Sequence, residues 1–272
     1  MPTVEVPGAR LAYDTAGNPA DRPLVFIHAG VATRDMWDPQ FADLAHDHFV
    51  VRYDTRGFGE SVGDDVPFAN RDDLIRVLDA VGLERATLVG CSRGGGIALD
   101  TALEHPDRVA GLVTIGSNPS GMDYSVVPST ELERQMEAEM ELAEQAQDLE
   151  AVVRIEVQYW DLGPERSVDD VSPEFLARAI ELNTGAAHWD FNAEHRALVP
   201  PAVGRLGELA VPALIVVGDY DVTEARAGFD LLVAGIPDAE PLRYPDSAHL
   251  PSVEHPERFT ADLRAWLAKH AL

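Results

Sequence analysis

Short, continuous apolar runs alternate along this chain with longer stretches in which apolar residues recur every third or fourth position. Leu24-Val25-Phe26-Ile27, Phe49-Val50-Val51, residues 86–91, residues 109–115 and Leu214-Ile215-Val216-Val217 are of the first kind. Runs of this length without polar alternation belong to strands covered on both faces. Between them, residues 35–46 (Met36, Phe41, Leu44, Ala45) and 71–81 (Leu74, Val77, Leu78, Val81) carry one apolar stripe each, the mark of a helix on a core. Strands alternating with helices predict parallel βαβ units, an α/β fold with helices on both faces of a mostly parallel sheet. Residues 3–6 and 10–15 alternate apolar and polar around Pro7-Gly8 and predict an antiparallel hairpin at the sheet edge.

The rhythm breaks at Asn118-Pro119-Ser120-Gly121. From there to Pro200 no buried strand is visible. Residues 130–149, rich in Glu, Gln, Ala, Leu and Met, predict a helix, as do 149–159, 172–183 and a region near 188–195. Alternation resumes with a short helix over 201–209, a strand over 212–218, a helix over 223–234 and a strand over 241–244. A closing helix over 256–270 opens on Pro256, a residue suited to a first helical turn. The expected organisation is a core of residues 1–118 and 201–272 interrupted by a helical insertion, 119–200.

Candidate chemistry centres on Gly90-Cys91-Ser92-Arg93-Gly94, which follows an apolar run and precedes a small-residue helical pattern. Gly-x-Ser-x-Gly between strand and helix holds a serine at the apex of a sharp turn. The turn brings the residues two before and two after the serine so close that both must be very small. The helix that follows points its N-terminus, with unpaired N–H groups and a positive dipole, at the serine. A nucleophilic serine needs a base and an acid, and in this strand–turn–helix setting both lie downstream. Asp221 is the expected acid, because Gly218-Asp219-Tyr220-Asp221 leaves a buried strand at the rim where ligand chemistry in such sheets occurs, with Asp219 its competitor. His249, between the last strand and the last helix, is the expected base among nine histidines, with His255 its rival. Two backbone donors would hold the developing oxyanion: the N–H of Arg93 and that of Gly30, with Ala29 competing. His28 is expected to brace that loop.

Length and composition agree with a soluble globular chain: 272 residues, 46% apolar, 25% charged. The formal net charge of −26 argues against nucleic acid and anionic membranes as partners. Cys91 is the sole cysteine, so no intrachain disulfide is available, and its place beside Ser92 predicts a buried packing residue. No apolar run approaches the roughly 18 residues of a membrane span, and residues 1–6 show neither a basic region nor a signal-length apolar stretch. The expected location is the cytoplasm. The sequence calls for no metal and no cofactor; a small-molecule substrate is the expected partner, with a homodimer left open.

With Gly-x-Ser-x-Gly, Asp221 and His249 in order, the chain resembles the α/β-hydrolase superfamily along almost its whole length. His28-Ala29-Gly30 resembles the His-Gly-x oxyanion loop, with Ala29 where glycine is usual, and Asp54-Thr55-Arg56-Gly57-Phe58-Gly59-Glu60-Ser61 is similar to Asp-x-Arg-Gly-x-Gly-x-Ser. The resemblance implies an eight-stranded, mostly parallel sheet with an inserted helical cap that covers the pocket. In the N-terminal third, Met36-Trp37-Asp38-Pro39-Gln40 and residues 51–57 resemble 3-oxoadipate enol-lactonases and their esterase relatives. The implied activity is serine hydrolysis of a small carboxylic ester or lactone through an acyl-enzyme. Ser92 excludes the aspartate-nucleophile members, the haloalkane dehalogenases and epoxide hydrolases. Cofactor-free perhydrolase or haloperoxidase chemistry, carbon–carbon bond hydrolysis and a non-catalytic receptor role remain as alternatives. Val31, Met122, Trp160, Trp189 and Leu250 are the expected pocket residues.

Overall fold

Among the described residues nine strands follow one another as β1 (Thr3–Val6), β2 (Ala9–Ala16), β3 (Pro23–Ile27), β4 (Phe49–Tyr53), β5 (Val62–Gly63), β6 (Ala86–Cys91), β7 (Val109–Ile115), β8 (Ala213–Gly218) and β9 (Ala239–Tyr244). They come from a computed structural model that describes residues 2–186 and 193–272. Eight of them form one sheet in the order β1-β2-β4-β3-β6-β7-β8-β9, and the two-residue β5 pairs with β2. β1 and β2 make the expected antiparallel edge hairpin, and β2 is antiparallel to β4. From β4 to β9 every pairing is parallel, so β3, β6, β7 and β8 all end at one rim.

Period-two alternation assigns each buried strand residue to one of two cores. Val25, Ile27, Leu88 and Ile215 face α2 (Asn70–Ala80), α3 (Arg93–Glu104) and α7 (Thr223–Gly235), through Leu74, Val77, Ala98 and Phe229. Leu24, Phe26, Val89 and Val216 face α1 (Asp38–Leu44) and α9 (Pro256–His270), through Leu44, Phe259 and Trp266. Both faces of the sheet are thus covered, which is why these strands read as unbroken apolar runs.

Between β7 and β8 the chain forms α4 (Glu131–Gln145), α5 (Leu149–Glu156) and α6 (Pro173–Ala186); the short α8 (Pro251–Glu254) precedes α9. The single helix expected over 130–149 ends early. Gln147 takes φ 52°, and the Asp148 side chain accepts the Ala151 N–H at 3.1 Å, so an aspartate read as helix interior caps a second helix instead. The expected helix over 201–209 is two short 3-10 turns, Ala202–Gly204 and Leu206–Glu208. Thr130 and Glu133 form a reciprocal cap on α4, and Glu133 also accepts from Thr223 N (2.6 Å) and Thr223 Oγ1 (2.8 Å), tying the insertion to the start of α7. Among the described residues no helix is long and apolar enough to cross a membrane.

Candidate active site

Ser92 stands between β6 and α3 with φ 52° and ψ −120°, a conformation that side-chain-bearing residues rarely adopt. The flanking glycines make it possible. A Cβ on Gly90 would lie 2.3 Å from the Gly94 carbonyl oxygen, and one on Gly94 would lie 2.3 Å from that of Ile27. The turn is pinned to the neighbouring strand by Ser92 N–H donating to the Ile115 carbonyl at 2.6 Å. Cys91 is fully buried, and burial pushes its thiol well above the ordinary range, in line with a packing role.

Asp221 and His249 meet at the same rim. His249 Nδ1 lies 2.9 Å from each carboxylate oxygen of Asp221, and Val222 N–H donates to Asp221 Oδ1 at 2.8 Å. Both residues are 2% exposed. Donation from Nδ1 leaves Nε2 as the acceptor nitrogen of a neutral ring. The competitors go elsewhere. Asp219 pairs with Arg243 at 2.7 Å on the surface, and His255 stacks on Tyr244 beside α9. Among the described residues no hydrogen bond joins Ser92 Oγ to His249; contacts of this kind commonly tighten only when a ligand is bound.

The loop after β3 is held from behind. His28 is fully buried, its Nδ1 2.7 Å from the Ala29 carbonyl and its Nε2 3.0 Å from Thr55 N and 2.9 Å from Thr55 Oγ1. Burial, helped by the Arg93 charge, lowers its pKa to about 3, so the ring is neutral and braces the loop. Ala29 N–H already meets Met36 Sδ at 3.3 Å, whereas among the described residues Gly30 N–H has no partner. Arg93 is the first residue of α3, and an N–H there has no carbonyl of its own helix to meet.

Ser92 and His249 line one cavity of about 210 Å³, walled by Trp160, Tyr124, Asn118 and Glu224. Trp160 lies in a single π-helical turn, Val157–Leu162, and its ring centroid is 4.7 Å from that of His249. Of the other expected pocket residues, Val31 and Leu250 are buried in the core beneath the sheet rim, and Met122, half-buried, does not line the cavity. Trp189 lies outside the described residues. Asn118 and Glu224 escaped the sequence reading although each sits just past a rim-ending strand, which is the signal that could have found them. Tyr124 carries no such signal. Burial raises the Glu224 carboxyl above its ordinary range.

Residues 22–256 match the family profile described as the alpha/beta hydrolase fold. A pimeloyl-acyl-carrier-protein methyl ester esterase of Edwardsiella ictaluri is 29% identical over 249 residues, 89% of this chain and 92% of that protein. A Caulobacter vibrioides protein named for carbamate hydrolysis, RutD, is 40% identical over 111 residues, 39% of this chain. That match spans only 41% of the relative's own length. Among solved structures, an N-acyl homoserine lactone degrading enzyme superposes with TM-score 0.73 at 28% identity, over 97% of this chain and 99% of that one. The enol-lactonase from Burkholderia xenovorans shares the fold, with TM-score 0.75 at 22% identity over 98% and 100% of the two chains. Sheet order, serine turn and a profile match over most of the length agree: the chain belongs to the alpha/beta hydrolase fold family.

Proposed function

We propose that this protein is a serine hydrolase that cleaves a small carboxylic ester or lactone through an acyl-enzyme. The observation that carries the reading is His249 Nδ1 at 2.9 Å from both oxygens of buried Asp221, in the cavity that also holds Ser92. Neutral His249 takes the proton of Ser92 Oγ at Nε2 as the hydroxyl attacks the carbonyl carbon, then returns it to the leaving oxygen. Asp221 fixes the tautomer and stabilises the imidazolium while it exists. The N–H groups of Gly30 and Arg93 receive the oxyanion, and each such donor is worth about 10²–10³ in rate. Water activated by the same histidine then releases the acid. The small cavity favours a short acyl group, and the helical insertion over it supplies Trp160 and Tyr124 to the wall.

The esterase and lactonase names among the relatives support a carbonyl substrate of this kind. The test is turnover of a panel of p-nitrophenyl esters and N-acyl homoserine lactones by the purified protein and by Ser92→Ala. The variant should lose about 10⁴-fold or more in kcat. Equal turnover by both proteins would remove Ser92 as nucleophile.

A further inference from the structure

A second cavity, of about 420 Å³, opens beside the first, and Arg93 and Gly96 line both. Its polar wall carries three arginines, and two of them are already neutralised. Arg56 pairs with Asp73 at 2.9 Å, and Arg71 lies 3.7 Å from Glu104. Arg93 is different. Its Nη1 donates to Thr55 Oγ1 (2.5 Å) and its Nη2 to Asn70 Oδ1 (3.2 Å), both neutral acceptors, and its guanidinium lies 4.6 Å from the Phe58 ring centroid. Among the described residues no carboxylate pairs with it. Burial lowers its pKa to about 10, although the Asp73 carboxylate, itself paired with Arg56, acts on it from farther off.

That is an unexpected place for an unpaired cation. The chain carries 47 acidic residues against 21 basic ones, and a desolvated charge is costly unless a partner arrives. Asp100 also lines this cavity; its carboxylate accepts from the Ser120 hydroxyl at 2.7 Å, and the positive charges that act on it are those of Arg71 and Arg205, not Arg93. His195, on the far wall, has its pKa lowered by burial and by the Arg93 and Arg71 charges, so it adds no positive charge near neutrality. Among the described residues the Arg93 guanidinium therefore makes no ion pair, which suits a singly charged carboxylate and undersupplies a phosphate dianion. Phe58, Phe68 and Ile97 give the rest of the cavity an apolar wall, suited to a few methylenes.

We infer that this second cavity is a subsite for a carboxylate carried by the substrate, with the Arg93 side chain as its counter-charge. The inference rests on the serine-hydrolase reading for where the ester sits, and it narrows the substrate class to half-esters of short dicarboxylic acids or lactones bearing a carboxylate. A merely structural role for Arg93 is the competing account, since Thr55 Oγ1 both accepts from Arg93 and contacts His28 behind the oxyanion loop.

The two accounts separate by substrate. p-Nitrophenyl hydrogen adipate and p-nitrophenyl hexanoate differ only in a terminal carboxylate against a methyl group. For Arg93→Gln, the ratio of kcat/KM for the charged ester to that for the neutral ester should fall about 10–100-fold, carried mainly by KM. Arg93→Lys should restore part of the ratio. Equal loss on both esters would overturn the subsite and leave a brace for the loop. A binding arm keeps the result independent of turnover. Ser92→Ala should bind monomethyl adipate more tightly than methyl hexanoate by calorimetry, and adding Arg93→Gln should abolish that preference. Failure of the binding preference overturns the subsite whatever Ser92 does, whereas retained turnover by Ser92→Ala overturns only the nucleophile assignment.

Discussion

The indole of Trp160 lies against the imidazole of His249, ring centroids 4.7 Å apart, while the Trp160 carbonyl accepts the His249 N–H at 3.2 Å. A residue of the insertion thus holds the candidate base by ring and by backbone. The turn that carries it is fixed in place by Asn183 Nδ2 donating to Asp161 Oδ2 at 2.6 Å. Ring contacts of this kind are worth about 0.5–1.5 kcal/mol. Trp160→Ala should lower kcat/KM on p-nitrophenyl butyrate about 3- to 10-fold, and Trp160→Phe should recover most of it. Unchanged rates in the alanine variant would make the contact incidental.

The two aspartates of the loop after β8 should separate cleanly. Asp221→Asn removes the carboxylate that sets the His249 tautomer and should lower kcat about 10⁴-fold with the fold intact. Asp219→Asn breaks only an exposed pair with Arg243, worth about 0–1 kcal/mol, and should leave kcat within about twofold. Steady-state rates with circular dichroism as a folding control decide it. Matching losses in the two variants would misplace the acid.

Gly116, at φ +55°, packs directly on the Asp221–His249 contact. An added Cβ would stand 2.8 Å from His249 Nδ1 and 2.9 Å from Asp221 Oδ2. Gly116→Ala therefore strains the backbone and pushes the acid–base pair apart. We expect a loss of about 10²-fold or more in kcat, against about 1–3 kcal/mol in stability. Full activity in a folded Gly116→Ala protein would mean that the pair moves freely, contrary to its burial.

Glu156, half-buried in α5 with Glu144 nearby, has its carboxyl pushed up to about 7 by burial and by that like charge. Its folded-state pKa exceeds the ordinary 4.5, so the folded protein binds the proton more tightly than the unfolded chain does. Stability from this group is present at low pH and falls as pH rises from about 4.5 through 7. Glu156→Gln removes the penalty. After allowance for partial exposure, the variant should gain about 1–2 kcal/mol at pH 8 and nothing at pH 4.5, read as a difference in Tm that opens with pH. A constant difference across that range would show that ionisation of Glu156 is not involved.

The sequence made the parallel core legible because its strands are buried on both faces, so apolar runs mark them without ambiguity. Ser92, Asp221 and His249 could be put forward as candidates because each sits in a loop at a strand end, where chain order and rim position coincide. Gly30 was preferred to Ala29 from sequence by its place in the loop alone; the contact of the Ala29 N–H with Met36 Sδ, between a loop and the following turn, leaves no sequence signal. The insertion was the least legible part. Asp148 looks like helix interior until its side chain is seen capping α5, and Tyr124, on the cavity wall, comes from a segment whose folding back over the rim leaves no periodic trace. Val31 and Leu250 looked like pocket residues because they neighbour Gly30 and His249, yet their side chains point into the core.

The central claim concerns one hydroxyl, and a fluorophosphonate tests it directly. The purified protein, incubated with the probe and analysed as peptides by mass spectrometry, should carry one stoichiometric adduct on Ser92, with Ser92→Ala and Asp221→Asn respectively unlabelled and slowly labelled. An adduct on another residue, or labelling that persists in folded Ser92→Ala, would contradict the account.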